Sequence, residues 1–290
     1  MLLKRLKTGA FSVLGAGIVS LLITGCGTDG ASDVGNATQP TTKIVITAAN
    51  ADKVLASTVG GVGKIAGMID ELMKKLPGMS RATPGNIALS GDALSVPEKL
   101  SFALKSRDCA DGGSVEFNLD SSVKFNNCAE KGVLLDGLGE ASASSGKKYD
   151  IRFTNLNAVF STGTLVLSDA GVSVDGSDFT FKIATGSATV QGVDVDVNNF
   201  ALNRDGTGTS VSSYIRTSCM GGWVEVTTVS PLRYNAAKVL TGGTLDVSGE
   251  ASSMGIVFTA DGGADVSLNG VDYASYSSAS DLPQYNTVCP

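Results

Sequence analysis

From about residue 87 onward, apolar and polar residues alternate with a period of two. Val115, Phe117 and Leu119 alternate with Ser114, Glu116 and Asn118. The same pattern recurs around Tyr149–Phe153, Phe179–Ile183, Val193–Val197, Val224–Val226, Leu245–Val247 and Ala264–Leu268. Such runs predict strands with one face in a core and one in water. They recur with no helical pattern between them, so the expected fold is mainly β: an antiparallel meander forming an incurved sheet. Asp-Gly at 136–137, 175–176, 205–206 and 261–262 is read as the turns. Segments 132–142, 171–181 and 243–253 share a Gly-aliphatic strand entering a Gly turn, at spacings too uneven for a solenoid.

Ahead of this region the period changes. Residues 43–48 (KIVITA) read as a short β-branched strand. Val54, Leu55, Val62, Ile65, Met68, Ile69, Leu72 and Leu76 then recur at helical intervals and predict an N-terminal helical element over about 50–76. Asn50 is its expected N-cap, Asp52 complements the dipole, and Pro77-Gly78 stops it. Gly60, Gly61 and Gly63 in its middle predict a kink or a break. The helix is expected to pack on the sheet with one face, the other reading being a lid over a cleft.

Residues 1–25 have a different grammar. Lys4, Arg5 and Lys7 precede an apolar stretch of 16 residues, 9–24, too short and Gly-rich for a transmembrane helix. It ends in Ile23-Thr24-Gly25-Cys26, which resembles a bacterial lipoprotein signal peptide with its lipobox. The resemblance implies cleavage before Cys26, diacylglycerol on its sulfur and a further acyl chain, such as palmitate, on the new amino terminus. Gly27 stands where an Asp would resemble an inner-membrane retention signal, so the implied address is the outer membrane, on either face. Residues 26–42 are expected to be the lipidated Cys and a flexible tether, about 22 Å long as a random coil. Residues 43–290 are expected to form a single β-rich domain.

Charge then limits the partners. The first 25 residues hold three of the 22 basic residues and none of the 28 acidic ones, leaving 19 against 28, a net charge of −9. Such a chain gains nothing from counterion release, so no nucleic acid is expected. It is repelled by anionic headgroups, which leaves the lipid anchor to hold it at a membrane.

Composition limits the chemistry. The chain has no His, which excludes Ser-His-Asp and Cys-His catalysis and His-ligated zinc. No P-loop, G-x-S-x-G or S-x-x-K motif occurs. Asp194, Asp196 and Asn198 resemble the start of a calcium loop but lack its Gly and Glu, and Val alternation explains them as a wet strand face. Asp169, Asp175 and Asp178 are read as lying around a turn, with weak calcium binding as the other reading. No carboxylate pair can be singled out for glycoside hydrolysis. No cofactor or metal site is expected, and the chain reads as a non-enzyme.

Besides Cys26 there are four cysteines, an even number suited to disulfides in an exported domain. Of three pairings, Cys109–Cys128 is expected because strands around 114–119 and 123–127 form a hairpin. That leaves Cys219–Cys289, with Trp223 expected to pack against it, the other reading being an exposed aromatic for sugar or protein contact.

The runs Cys109-Ala-Asp-Gly-Gly, Phe125-Asn-Asn-Cys128 and Gly132-Val-Leu-Leu-Asp-Gly137 resemble uncharacterised β-rich lipoproteins of proteobacteria, over residues 109–137 only. At the level of architecture, a helix followed by a long antiparallel sheet is similar to LolA/LolB-type lipoprotein carriers, whose incurved sheet encloses acyl chains. The expected function is a non-enzymatic structural or partner-binding role in the cell envelope, toward an envelope protein. The alternative is a carrier for a lipid or other apolar ligand held between helix and sheet; the third is a hydrolase.

Overall fold

The computed structural model describes residues 34–75, 106–117, 122–143, 148–175, 177–190, 192–236 and 239–289. After a helix, α1 (Ala51–Lys75), come fourteen strands: β1 (Arg107–Asp108), β2 (Ser114–Phe117), β3 (Ser122–Glu130), β4 (Val133–Ala143), β5 (Lys148–Phe160), β6 (Gly163–Asp175), β7 (Asp178–Val190), β8 (Val193–Asp205), β9 (Gly208–Thr217), β10 (Val224–Tyr234), β11 (Leu240–Gly249), β12 (Ser252–Phe258), β13 (Ala264–Leu268) and β14 (Val271–Tyr276). A short helix, α2 (Tyr285–Val288), ends the chain. The strands form one open antiparallel sheet in strict sequence order, as the alternation predicts.

The long strands bend at bulges. Asn127 in β3, Asn155 in β5 and Asn199 in β8 adopt φ near +50°, a conformation Asn tolerates better than most residues. Each coincides with a register shift, Asn127 against β4, Asn155 against β4 and Asn199 against β9. One inserted residue reverses the alternation while keeping the same face inward. In β8 the buried set changes from Val193, Val195 and Val197 to Phe200, Leu202 and Arg204. In β5 it changes from Phe153 to Leu156, Ala158 and Phe160. Bulges at corresponding depths raise the local twist and curve the sheet.

The Asp-Gly turns divide accordingly. Asp205-Gly206 and Asp261-Gly262 do lie at turns. Asp136-Gly137 does not: it lies inside β4, opposite the Asn155 bulge. Gly137 has φ +135°, and an added Cβ would lie 2.5 Å from the Asn155 carbonyl oxygen, so glycine there makes room for the bulge. Gly176 lies outside the described residues, as do the Pro77-Gly78 stop and the alternation expected from 87 to 105.

The helix departs from expectation in two ways. It is continuous over 25 residues despite its glycines. It is also buried around most of its circumference: beside Val54, Leu55, Ile65, Ile69 and Leu72, the residues Ala56, Ser57, Thr58, Ala66 and Met73 are buried too. Helix propensity is a weak force beside that much packing, so three glycines do not break it. Along its length of about 37 Å it crosses the strands. Near its start, Asp52 accepts from the hydroxyls of Tyr273 and Tyr276 in β14. Midway, Ser57 bonds Thr217 of β9 at 3.0 Å, and Gly61 lies against Val195 of β8. At its end, Lys75 reaches the β3–β4 turn at Gly132. Helix and sheet share one apolar core.

Asn50 caps by its backbone alone. Its carbonyl accepts from Val54, but its side chain reaches backward, accepting from the Thr47 amide and donating to the Val45 carbonyl. Residues 43–48 are no strand. They make a single parallel bridge, Lys43 to Trp223, because the chain here crosses the strands rather than running beside one.

Candidate functional site

Both disulfides join the expected partners. Cys109–Cys128 ties the start of the sheet to β3, and Cys219–Cys289 ties the C-terminal segment to the β9–β10 connection. Cys128 is fully buried and Cys109 nearly so. With Glu130 these two sulfurs lie close enough together for a metal, but both are spent in the disulfide.

The acidic residues fall where alternation puts them. Asp194 and Asp196 lie on the wet face of β8; Asp194 accepts from Thr189 and Asp196 pairs with Arg216. Asp175 and Asp178 face each other across the β6–β7 turn. Asp169 does not join them: it lies inside β6 and pairs with Arg152 through two hydrogen bonds. Trp223 is half-buried beneath the Arg216 guanidinium, 5.0 Å from the ring centroid, in a cation–π contact.

The expected tether is partly docked. Residues 27–33 lie outside the described residues, but from Gly35 the chain follows the outer face of the sheet. The Gly35 amide donates to Asp169, the Ala37 amide and carbonyl bond both ends of the Asn199 side-chain amide, and Asn198 donates to the Thr38 carbonyl. Lys43 then pairs with Glu225 and lies over the Tyr214 ring. Side-chain amides on a wet strand face supply both the donor and the acceptor that an extended backbone lacks. Composition alone reads 34–42 as loop because those partners lie more than 130 residues away. Ile46 then turns into the core and α1 begins.

One buried charge was not anticipated. Arg204 continues the inward row of β8 and is only 8% exposed. Its guanidinium lies 5.7 Å from the Phe179 ring centroid, and Nε and Nη2 are buried without a hydrogen-bond partner. Leaving such donors unsatisfied costs about 1–3 kcal/mol or more. Arg204→Met, which keeps the reach and removes the charge, is therefore expected to stabilise the fold by about 1–3 kcal/mol. A urea midpoint that falls would show that the Phe179 contact outweighs desolvation.

Two tyrosine phenols are held furthest above their ordinary value. Burial pushes the Tyr234 phenol up to about 12. Burial, then the Asp52 carboxylate, does the same for Tyr276. Both values are raised on folding, so the unfolded chain loses these protons first, near pH 10. Their contribution is full below pH 10 and is lost as pH rises toward 12. Unfolding midpoints should fall across that window, and Asp52→Asn should bring part of the tyrosinate absorbance to lower pH. A midpoint flat from pH 9 to 12 would refute the burial of both phenols.

Among the described residues, a cleft of about 350 Å³ opens between the first half of α1, the ends of β11 and β12, and the C-terminal segment 279–286. Leu55, Val59, Leu240, Phe258 and Leu282 give it apolar walls. Lys64 and Tyr285 stand together at its side, with Nζ 5.5 Å from the ring centroid. The feature is legible only in three dimensions, since its walls come from three distant parts of the chain.

No protein-family model matches this chain, and no curated protein or solved structure is significantly similar to it.

Proposed function

We propose that this chain is a lipoprotein of the outer membrane, anchored through Cys26, whose folded part is a non-enzymatic structural or partner-binding module of the cell envelope. The observation that carries the reading is the position of α1. A carrier of the LolA/LolB type needs an open apolar groove under its helix. Here Ile65, Ile69 and Leu72 are wholly buried and a Cβ added at Gly61 would lie 3.5 Å from the Val195 side chain, so helix and sheet close on each other. Two disulfides suit an exported domain. The docked segment limits the leash to residues 27–34, at most about 27 Å when fully extended, so the outer face around Asp169 would stay close to the bilayer.

The test is to isolate the mature protein from membranes and measure its intact mass. A chain beginning at a triacylated Cys26, with fatty-acid labelling lost in Cys26→Ala, is expected. An unacylated chain would overturn the anchor. Native mass spectrometry should further show no diacyl lipid retained in the folded protein; a stoichiometric adduct of that mass would favour the carrier.

A further inference from the structure

The cleft beside α1 has three properties that packing alone does not require. First, its walls are aliphatic and aromatic, yet side chains do not fill it. Second, Gly60 lines it from the interior of a helix, where glycine costs about 0.8–1 kcal/mol relative to Ala. No neighbour demands that glycine, since an added Cβ would meet nothing within 4 Å. Third, Lys64, one helical turn on, makes no ion pair among the described residues, and its ammonium lies over the Tyr285 ring. The roof is held covalently, because Cys289 of the segment over the cleft is bonded to Cys219. The cleft is thus a lasting feature of the oxidised protein.

From these we infer that the cleft is a binding site for a single-chain anionic amphiphile, with the alkyl chain against Leu55, Leu240 and Phe258 and the carboxylate at Lys64. Charge complementarity selects the head, because an ammonium without a carboxylate partner gains a charge-assisted hydrogen bond from one. Volume selects the tail. At roughly 30 Å³ for each water-sized group, 350 Å³ holds about a dozen heavy atoms, as in a fatty acid of about ten carbons. A diacyl lipid does not fit, so the site is compatible with a filled concave face. The inference goes beyond the proposed envelope role and does not rest on acylation of Cys26.

The test uses the full chain in unfractionated cell extract, so that it is present whether or not it is anchored, and two photoreactive probes, a diazirine-bearing decanoic acid and the matching decanol. Crosslinks from the acid should map to peptides containing residues 55–64 and 279–286 and be competed by decanoate. Gly60→Leu places a side chain in the cleft while improving helix propensity, so it should keep the melting temperature and cut labelling at these peptides by at least tenfold. Lys64→Met should weaken labelling by the acid about tenfold and leave the alcohol unchanged. Labelling scattered over the sheet, or undiminished in a folded Gly60→Leu protein, would overturn the site. Equal effects of Lys64→Met on both probes would overturn the assignment of the anionic head. Cys26 acylation is read separately from its own peptide, so failure of the anchor and failure of the cleft are distinguishable.

Discussion

Replacing Cys219 and Cys289 together by Ser is expected to lower the unfolding free energy by about 4 kcal/mol, against about 3 kcal/mol for the Cys109 and Cys128 pair. The difference follows from the loops closed. Cys219 and Cys289 are 70 residues apart and Cys109 and Cys128 only 19, and the entropy removed from the unfolded chain grows with the logarithm of that number. The two losses also differ in place. Without Cys219–Cys289, α2 is held by packing on α1, by the Lys64 ammonium over the Tyr285 ring and by a hydrogen bond between the Ser218 and Tyr285 hydroxyls. Urea denaturation of each double variant gives the magnitudes, and amide exchange should show protection lost around 279–289 in the Cys219 and Cys289 variant alone. A smaller loss for this pair than for Cys109 and Cys128 would mean that the tail is as ordered in the unfolded ensemble as in the native state.

Ile69→Ala is expected to cost about 2–5 kcal/mol, as removing a large buried aliphatic leaves both a transfer loss and a cavity. Ile69 is fully buried in the second half of α1. The control is Gly67→Ala, two residues away on the exposed side, where an added methyl meets nothing within 4 Å. It should gain up to about 1 kcal/mol from helix propensity. Opposite signs at positions two residues apart would establish that α1 is the interior of this sheet. A cost below about 1 kcal/mol at Ile69 would mean that the helix lies on the fold rather than within it.

These expectations mark where the sequence was legible. Alternation at Val193–Val197 reports directly which side of β8 is wet, because side chains on a strand point to opposite faces in turn. The same rule misleads at Asn199, where one extra residue reverses the parity and draws Arg204 inward. Nothing local marks that residue as a bulge, since its partner strand β9 decides the register. Asp136-Gly137 failed for the same reason: the pair suits a hairpin turn and a bulge equally, and strand β5 chooses between them. Ser57 and Thr58 spoil the expected single apolar stripe of α1. They are buried because the Thr217 hydroxyl and the Val54 carbonyl satisfy them.

Periodicity and cysteine spacing by themselves determined a mainly β antiparallel meander, one N-terminal helix and both disulfides. The fold follows from two-residue and 3.6-residue periods, and the pairing from a hairpin that brings Cys109 to Cys128 and leaves Cys219 and Cys289 for each other. Only the tertiary structure decided that the helix is engulfed, that residues 35–44 cross the outer face, and that a cleft flanked by Lys64 and Tyr285 remains beside α1. Those features depend on sheet curvature and on contacts between residues 130 to more than 200 positions apart. Such contacts are selected by the packing of the whole chain and leave no local signal.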